Sequence, residues 1–296
     1  MPDYGRPLEF GVSVEPLADP PDHAARVAKA ADRSGLDLVG IQDHPYQRRF
    51  LDTWTLISTL VPVTENVRFF PDVANLPLRP PTMLAKAAAS LDVLSNGRVE
   101  VGLGAGAFWE AVAGMGGPRR SPGEALRATE EAIDVMRLVW GGERSLRFDG
   151  EFYSLKGMRP GPPPVHDVGI WVGAYGPRML GLIGRKADGW VPSLGFSPPE
   201  RLPGMHERID EGAAGAGRDP SEIKRVYNVS GNIGPEGAGL LDGPVEKWVE
   251  ALTGFVLEGG MDSFVFWPGE DHERQTELFA GEVVPAVREA VEAGRL

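Results

Sequence analysis

The 296-residue sequence predicts an α/β fold, a (β/α)8 TIM barrel with a small inserted β-hairpin. Short apolar runs alternate with amphipathic segments along the whole chain, the pattern of parallel strands joined by helical crossovers. The alternation completes eight rounds, the number that closes a barrel. The 39 glycines and 27 prolines are scattered between the runs rather than gathered in one tract, as many short βα turns require. Residues 1–296 are therefore expected to form one barrel domain.

The elements follow in order. The first strand is expected over 8–14. Pro20 and Pro21 open a helix in which Ala24, Val27, Ala28 and Ala31 recur at helical spacing until Gly35. The second strand, 36–41, ends in Asp43-His44-Pro45-Tyr46, and Asp52 or Thr53 caps the next helix. A third strand over 66–70 leads through a loop to a helix over 81–95, stopped by Asn96-Gly97. The fourth strand, 99–103, precedes the most regular helix, 121–140. Aromatic residues flank Asp149-Gly150, so a hairpin is expected around 145–156, inserted into the repeat. After a proline-rich bend, strands over 169–172, 189–191, 223–228 and 263–266 alternate with helices over 177–187, 198–214, 245–257 and 273–293.

Composition excludes several function classes. With no cysteine, the chain has no disulfide, thiolate catalysis, iron–sulfur cluster or Cys-based zinc site. A net charge of −12 without a basic stripe argues against a nucleic-acid partner. No run of 18 apolar residues and no apolar leader is present, so a cytoplasmic protein without membrane association is expected. His23, His166, His206 and His272 lie away from strand ends and from carboxylates at ligand spacing, so no metal site is expected.

The candidate chemistry falls where strands give way to loops, the side on which α/β proteins place cofactors. The stretch 69–106 reads as a seat for the flat ring of a redox cofactor. Asp43 and His44 follow the second strand; a carboxylate beside an imidazole can fix its tautomer, although the pair could equally be a capped turn with a surface histidine. Gly102-x-Gly104-x-x-Ala107 matches the loose dinucleotide fingerprint, and the glycine turn of S-adenosylmethionine methyltransferases. Three βα units precede it, however, and the acidic residue about 20 positions on is Glu124, inside a helix. Gly173-Ala174-Tyr175-Gly176-Pro177-Arg178 ends a strand and opens a helix, which makes a phosphate site from free N–H groups. There is neither a P-loop nor a nucleophile elbow. Tyr46, Phe108, Trp109 and Trp267 cluster near strand ends and could wall an apolar pocket; Trp140, Trp171, Trp190 and Trp248 read as core or interface.

Taken in order, several motifs resemble the bacterial luciferase-like monooxygenases. They are Asp43-His44-Pro45; Asn75-Leu76-Pro77-Leu78-Arg79-Pro80-Pro81; Leu91-Asp92-Val93-Leu94-Ser95-Asn96-Gly97-Arg98; Gly102-Leu103-Gly104-Ala105-Gly106; the hairpin 148–153; and Ala187-Asp188-Gly189-Trp190. The resemblance implies a TIM barrel that binds coenzyme F420 or, alternatively, FMN at its mouth. It implies a non-prolyl cis peptide at Asp72-Val73 behind the ring, with Ala74, Asn75, Gly104, Ala105 and Gly106 flanking it and Gly173–Arg178 on the cofactor phosphate. His44, with Asp43, would act on the hydride-transfer step, and Arg48, Arg49, Arg178 or Arg185 would meet an anionic tail. Asp43-His44 is more similar to the F420-dependent branch than to the FMN luciferases. Ala107 stands where some sugar-phosphate dehydrogenases of that branch carry a glutamate, which argues against a sugar-phosphate substrate, and Ala107-Phe108-Trp109 suggests a small, apolar one instead. The alternatives are an FMN-dependent monooxygenase using O2 and a catalytically silent flavin-binding protein. A homodimer is the assembly that relatives suggest.

Overall fold

The computed structural model describes residues 3–296. Strands β1 (Glu9–Val14), β2 (Leu38–Ile41), β3 (Arg68–Pro71), β4 (Ala74–Asn75) and β5 (Val101–Gly104) are joined by helices α1 (His23–Arg33), α2 (Thr53–Leu60) and α3 (Pro81–Ser95). Beyond β5 come a short helix α4 (Trp109–Gly114), the long helix α5 (Pro122–Trp140) and the hairpin β6 (Leu146–Asp149) and β7 (Ser154–Met158). The second half holds β8 (Ile170–Gly173), α6 (Pro177–Lys186), β9 (Gly189–Trp190), α7 (Leu202–Gly215), β10 (Lys224–Ile233), β11 (Asp242–Gly243), α8 (Val245–Leu257), β12 (Ser263–Pro268), α9 (His272–Leu278) and α10 (Val284–Arg295).

Hydrogen bonding runs β3-β2-β1-β12-β10-β9-β8-β5-β4, all parallel, with β11 added alongside β10. Because β4 continues β3 past residues 72–73, these nine strands make eight staves. The ring closes between β3 and β5, where the Phe69 N–H donates to Arg98 O and the Glu100 N–H to Phe69 O, both at 2.9 Å. The expected barrel and its inserted antiparallel hairpin are thus present. Glu131 on α5 fixes the hairpin turn, accepting the N–H groups of Glu151, Phe152 and Tyr153.

Strand alternation sends Phe10, Val12, Val14, Val39, Ile41, Phe69, Val101, Leu103, Tyr227 and Phe264 outward into one continuous helix–sheet core. The other face fills the lumen, where Leu38, Phe70, Trp171, Val191, Val226 and Val265 form a separate apolar plug under Val73 and Trp267. Below it the lumen carries charge: Arg68 donates to Glu9 at 2.6 Å and to Glu100 at 2.8 Å, and Lys224 also pairs with Glu9. Burial raises the pKa of Glu9, but Lys224 and Arg68 outweigh it and hold the carboxyl below its ordinary value.

Local signals account for the helix ends. Ser121 and Glu124 form a reciprocal capping box on α5, which settles Glu124 as a cap rather than a ribose ligand. Asp52 caps α2 by accepting the Thr55 N–H, and Asn96, left-handed at φ 57°, closes α3. Asp92, fully buried near the end of α3, accepts the N–H groups of Val165 and His166 and meets His166 Nδ1 at 2.6 Å. The residues of the Leu91–Arg98 motif therefore secure the barrel's lower end. Helix α4 has no counterpart in the sequence expectation. It spans six residues, is entered from a left-handed Phe108, and is too short to show a period.

Candidate active site

The C-terminal ends of the strands gather the expected residues at one mouth. Asp43, just past β2, is buried and fully committed. It accepts the Asn75 N–H at 2.8 Å and a forked pair from Arg79, Nε and Nη2 each at 2.6 Å. Arg79 also reaches Asp52 at 2.5 Å. Burial works against the charged guanidinium, but the two carboxylates outweigh it and raise its pKa well above the ordinary value. The expectation that Asp43 orients the His44 ring is therefore corrected: its oxygens are spent on the loop after β3.

The ring partner of His44 is Tyr46, whose hydroxyl lies 3.2 Å from His44 Nδ1. His44, Tyr46 and Phe108 form an aromatic triangle with centroids 5.5, 5.8 and 5.9 Å apart. Burial lowers the imidazole pKa, only partly offset by the Asp43 charge, so His44 is neutral at neutral pH. Phe108 is 64% exposed, an apolar side chain presented to solvent beside that imidazole. Trp109 opens α4 with its ring against Gly106, and Trp267 caps the lumen plug with its indole Nε1 buried and unpartnered among the described residues.

The Asp72–Val73 peptide is cis, as the resemblance implied. Side chains on β5 and β8 are omitted where they would strike it: a Cβ on Gly104 would lie 2.8 Å from Val73 Cγ2, one on Gly173 3.2 Å away, and one on Gly102 would collide with Pro71 O. The glycines first read as a cofactor turn thus serve the Pro71–Val73 backbone on the lumen side. Asp72 points into the lumen, where Asn228 on β10 donates from Nδ2 to Oδ1 at 3.1 Å. Among the described residues Asp72 Oδ2, Asn228 Oδ1, Asn75 Oδ1 and Ser13 Oγ have no partner, and all are buried. Burial pushes the Asp72 carboxyl up to about 7, against the pull of the Asn228 amide.

The loop after β8 brings Gly173, Ala174, Tyr175 and Gly176 to the same mouth. Gly176 is the N-cap of α6 with open space around it, Pro177 occupies the first turn, and Arg178 is exposed. Tyr175 packs against Phe196 at 5.3 Å, and burial raises its phenol pKa. Arg48 and Arg49 are exposed beyond β2. Arg185 is corrected: it sits in the last turn of α6, at the opposite end from Gly176, 3.9 Å from Glu130. Sequence reasoning missed Arg79, Asn228, Ser193, whose hydroxyl lies 3.5 Å from Asn228 Nδ2, and Ser13 as site residues. For Asn228 a signal existed, because it shares strand parity with Lys224 and the lumen residue Val226.

A parallel eight-stave barrel with a cis peptide just past β3, and with His44 and the N-terminus of α6 at the same strand ends, defines the class: a TIM barrel. The chain belongs to the luciferase-like monooxygenase family, whose model matches residues 7–235. It is 33% identical over 273 residues to a 5,10-methylenetetrahydromethanopterin reductase of Methanolobus tindarius, covering 92% of this chain and 78% of the relative. It is 26% identical to an F420-dependent glucose-6-phosphate dehydrogenase of Kineococcus radiotolerans, covering 96% and 98%. A solved F420-dependent secondary alcohol dehydrogenase superposes with a TM-score of 0.87 at 21% identity, over 96% of this chain and all of that one, a match of fold. No helix among the described residues is long and apolar enough to cross a membrane.

Proposed function

We propose that this chain is an F420-dependent oxidoreductase that moves a hydride to or from a small, apolar organic substrate. The observation that carries it is the buried polar set at the mouth, Asp72 Oδ2, Asn75 Oδ1, Asn228 Oδ1 and Trp267 Nε1, which lacks partners among the described residues. A flat heterocycle with carbonyl and N–H groups on its edge can satisfy such a set, whereas an aliphatic ligand cannot. The choice of F420 over FMN rests on the relative named as F420-dependent and on the Asp43-His44 pair.

The cofactor would supply a ring carbon that accepts or releases hydride; the protein supplies the rest. Val73 and its neighbours would back the ring, and Asn75, held by Asp43, would present its amide to it. The N–H groups at the start of α6 would hold the cofactor phosphate, with Arg178 adding charge. His44 is neutral, so it can take the proton of a substrate hydroxyl as the carbon is oxidised, and return it in the reverse direction. Tyr46 and Phe108 favour an apolar substrate, and Ala107 offers no second acid. The proposal includes a cytoplasmic, nucleic-acid-independent enzyme, in keeping with an acidic chain that lacks cysteine, and a homodimer as its assembly.

Titration with F420 and FMN in parallel tests the cofactor, and F420 reduction by a panel of small alcohols tests the chemistry. Binding of FMN without F420 would overturn the cofactor assignment in favour of an FMN monooxygenase. Unchanged turnover in His44→Ala would remove His44 from the chemistry and favour a silent binding protein.

A further inference from the structure

Asp72 is a carboxyl with no cation among the described residues to hold its charge. It follows β3 directly, its N–H donating to Ile41 O at 2.7 Å, and its side chain enters the lumen between several strands. Its surroundings are Gly40 on β2, whose missing side chain leaves it room, Asn228 on β10, Ser193 after β9 and Tyr175 after β8. Arg79, the largely buried cation of the mouth, is engaged by Asp43 and Asp52. One oxygen of Asp72 takes the Asn228 amide; the other is buried with no donor among the described residues. Two further acceptors at the mouth, Asn75 Oδ1 and Asn228 Oδ1, and two groups able to donate, Ser13 Oγ and Trp267 Nε1, are likewise unpartnered among the described residues, and none of them bonds Asp72 Oδ2. An ionised carboxylate there is penalised by desolvation, and a flat ring covering the mouth removes what water remains.

We infer that Asp72 is the proton-taking residue of the cofactor seat: when the ring binds, Oδ2 takes one proton from solvent and presents an O–H donor in place of a carboxylate. One carboxylate and one solvent proton give one carboxylic acid, and no electrons move. This rests on the cofactor proposal above, and it adds that binding is linked to pH through Asp72. The neighbouring titratable groups leave the range between 7 and 9 clear, since burial lowers the pKa of His44 below 6.5 and raises that of Tyr175 above 10.

The test is isothermal titration of the full chain with F420, and separately with FMN, in buffers of differing ionisation enthalpy, for the native protein and Asp72→Asn. With a carboxyl titrating at about 7, native binding takes up about 0.5 proton at pH 7 and about 0.9 at pH 8, and affinity falls by up to about tenfold per pH unit above 8. Asp72→Asn loses this uptake while any ionisation of the cofactor itself remains in both proteins. Equal uptake in the two proteins overturns the inference. Infrared difference spectra of the ligand-free protein, native minus Asp72→Asn, supply an arm without cofactor: a protonated-carboxyl band at pH 6 that vanishes by pH 9 is expected, and its absence at pH 6 overturns the inference. Should neither cofactor bind, the functional proposal fails, and the infrared arm alone decides for Asp72.

Discussion

Arg79→Ala should destabilise the barrel by about 3 kcal/mol and displace Asn75 with it. The side chain of Asp43 is 1% exposed and that of Arg79 17%, and the fork between them is the main source of donors for a buried carboxylate. Removing one partner of a buried pair typically costs 3–5 kcal/mol, because a charge stays behind uncompensated. Water reaches the Asp52 side of the guanidinium, where Asp52 is 44% exposed, so the lower end of about 3 kcal/mol applies. Arg79→Lys keeps the charge and loses the fork, for roughly half that cost. Asp43→Asn preserves an acceptor for the Asn75 N–H and leaves Arg79 with Asp52, and should cost about 2 kcal/mol. The double variant should cost at least about 1 kcal/mol less than the sum of the single ones, since neither charge is then stranded. Urea midpoints at constant m-value provide the measurement. A cost below about 1 kcal/mol for Arg79→Ala, or strict additivity in the cycle, would refute the argument that this clamp sets the loop after β3.

Burial lowers the pKa of His44, so turnover that needs the neutral imidazole should fall only as pH drops through a value under 6.5; Phe108→Ala, which admits water, should move that limb upward in a kcat/KM profile. His166 behaves oppositely: Glu100 and Asp92 raise its pKa against the effect of burial, so its contribution to stability is complete below about 6.5 and is lost as pH rises through the folded value. Melting curves between pH 5.5 and 9 should show that loss in the native chain and not in His166→Gln. Gly102→Ala would drive a methyl into Pro71 O, and should abolish soluble expression or lower the urea midpoint far more than Gly114→Ala, whose new methyl meets open space.

The eight βα rounds were legible because each couples an apolar run to an amphipathic helix, and that periodicity survives errors of a few residues at the boundaries. Strand β10 runs on to Ile233, five residues past the expected end, since its polar upper half faces the mouth and breaks the apolar run. The convergence of the candidate residues was legible too, as strand ends followed by Asp43-His44, Asp72–Asn75 and Gly173–Arg178 all open on one mouth. Its wiring was not. The partner of Asp43 lies 36 positions away and that of Asp72 156 positions away, and such distances depend on barrel shear rather than on local pattern. Gly102 and Gly104 show the converse limit: a glycine turn reads alike in sequence whether the missing side chain makes room for a ligand or for a neighbouring strand, and here a Cβ would meet Pro71 or Val73.

The lumen itself argues for which end of the barrel does chemistry. Both ends hold buried polar side chains on the inward face, yet they are treated differently. At the lower end Glu9, Arg68, Glu100 and Lys224 are joined to one another, and the second oxygen of Glu100 accepts the Gly169 N–H at 2.7 Å. That set is closed. At the upper end Ser13 Oγ, Asp72 Oδ2, Asn228 Oδ1 and Trp267 Nε1 have no partner among the described residues. Leaving a buried polar atom unpaired costs about 1–3 kcal/mol, so filling this end with aliphatic residues would stabilise the protein. Charges satisfied at one end of the lumen, with neutral and titratable groups unsatisfied among the described residues at the other, support the proposed ligand seat at the second end. The plug of Leu38, Phe70, Trp171 and Val226 between them confines that seat to the mouth.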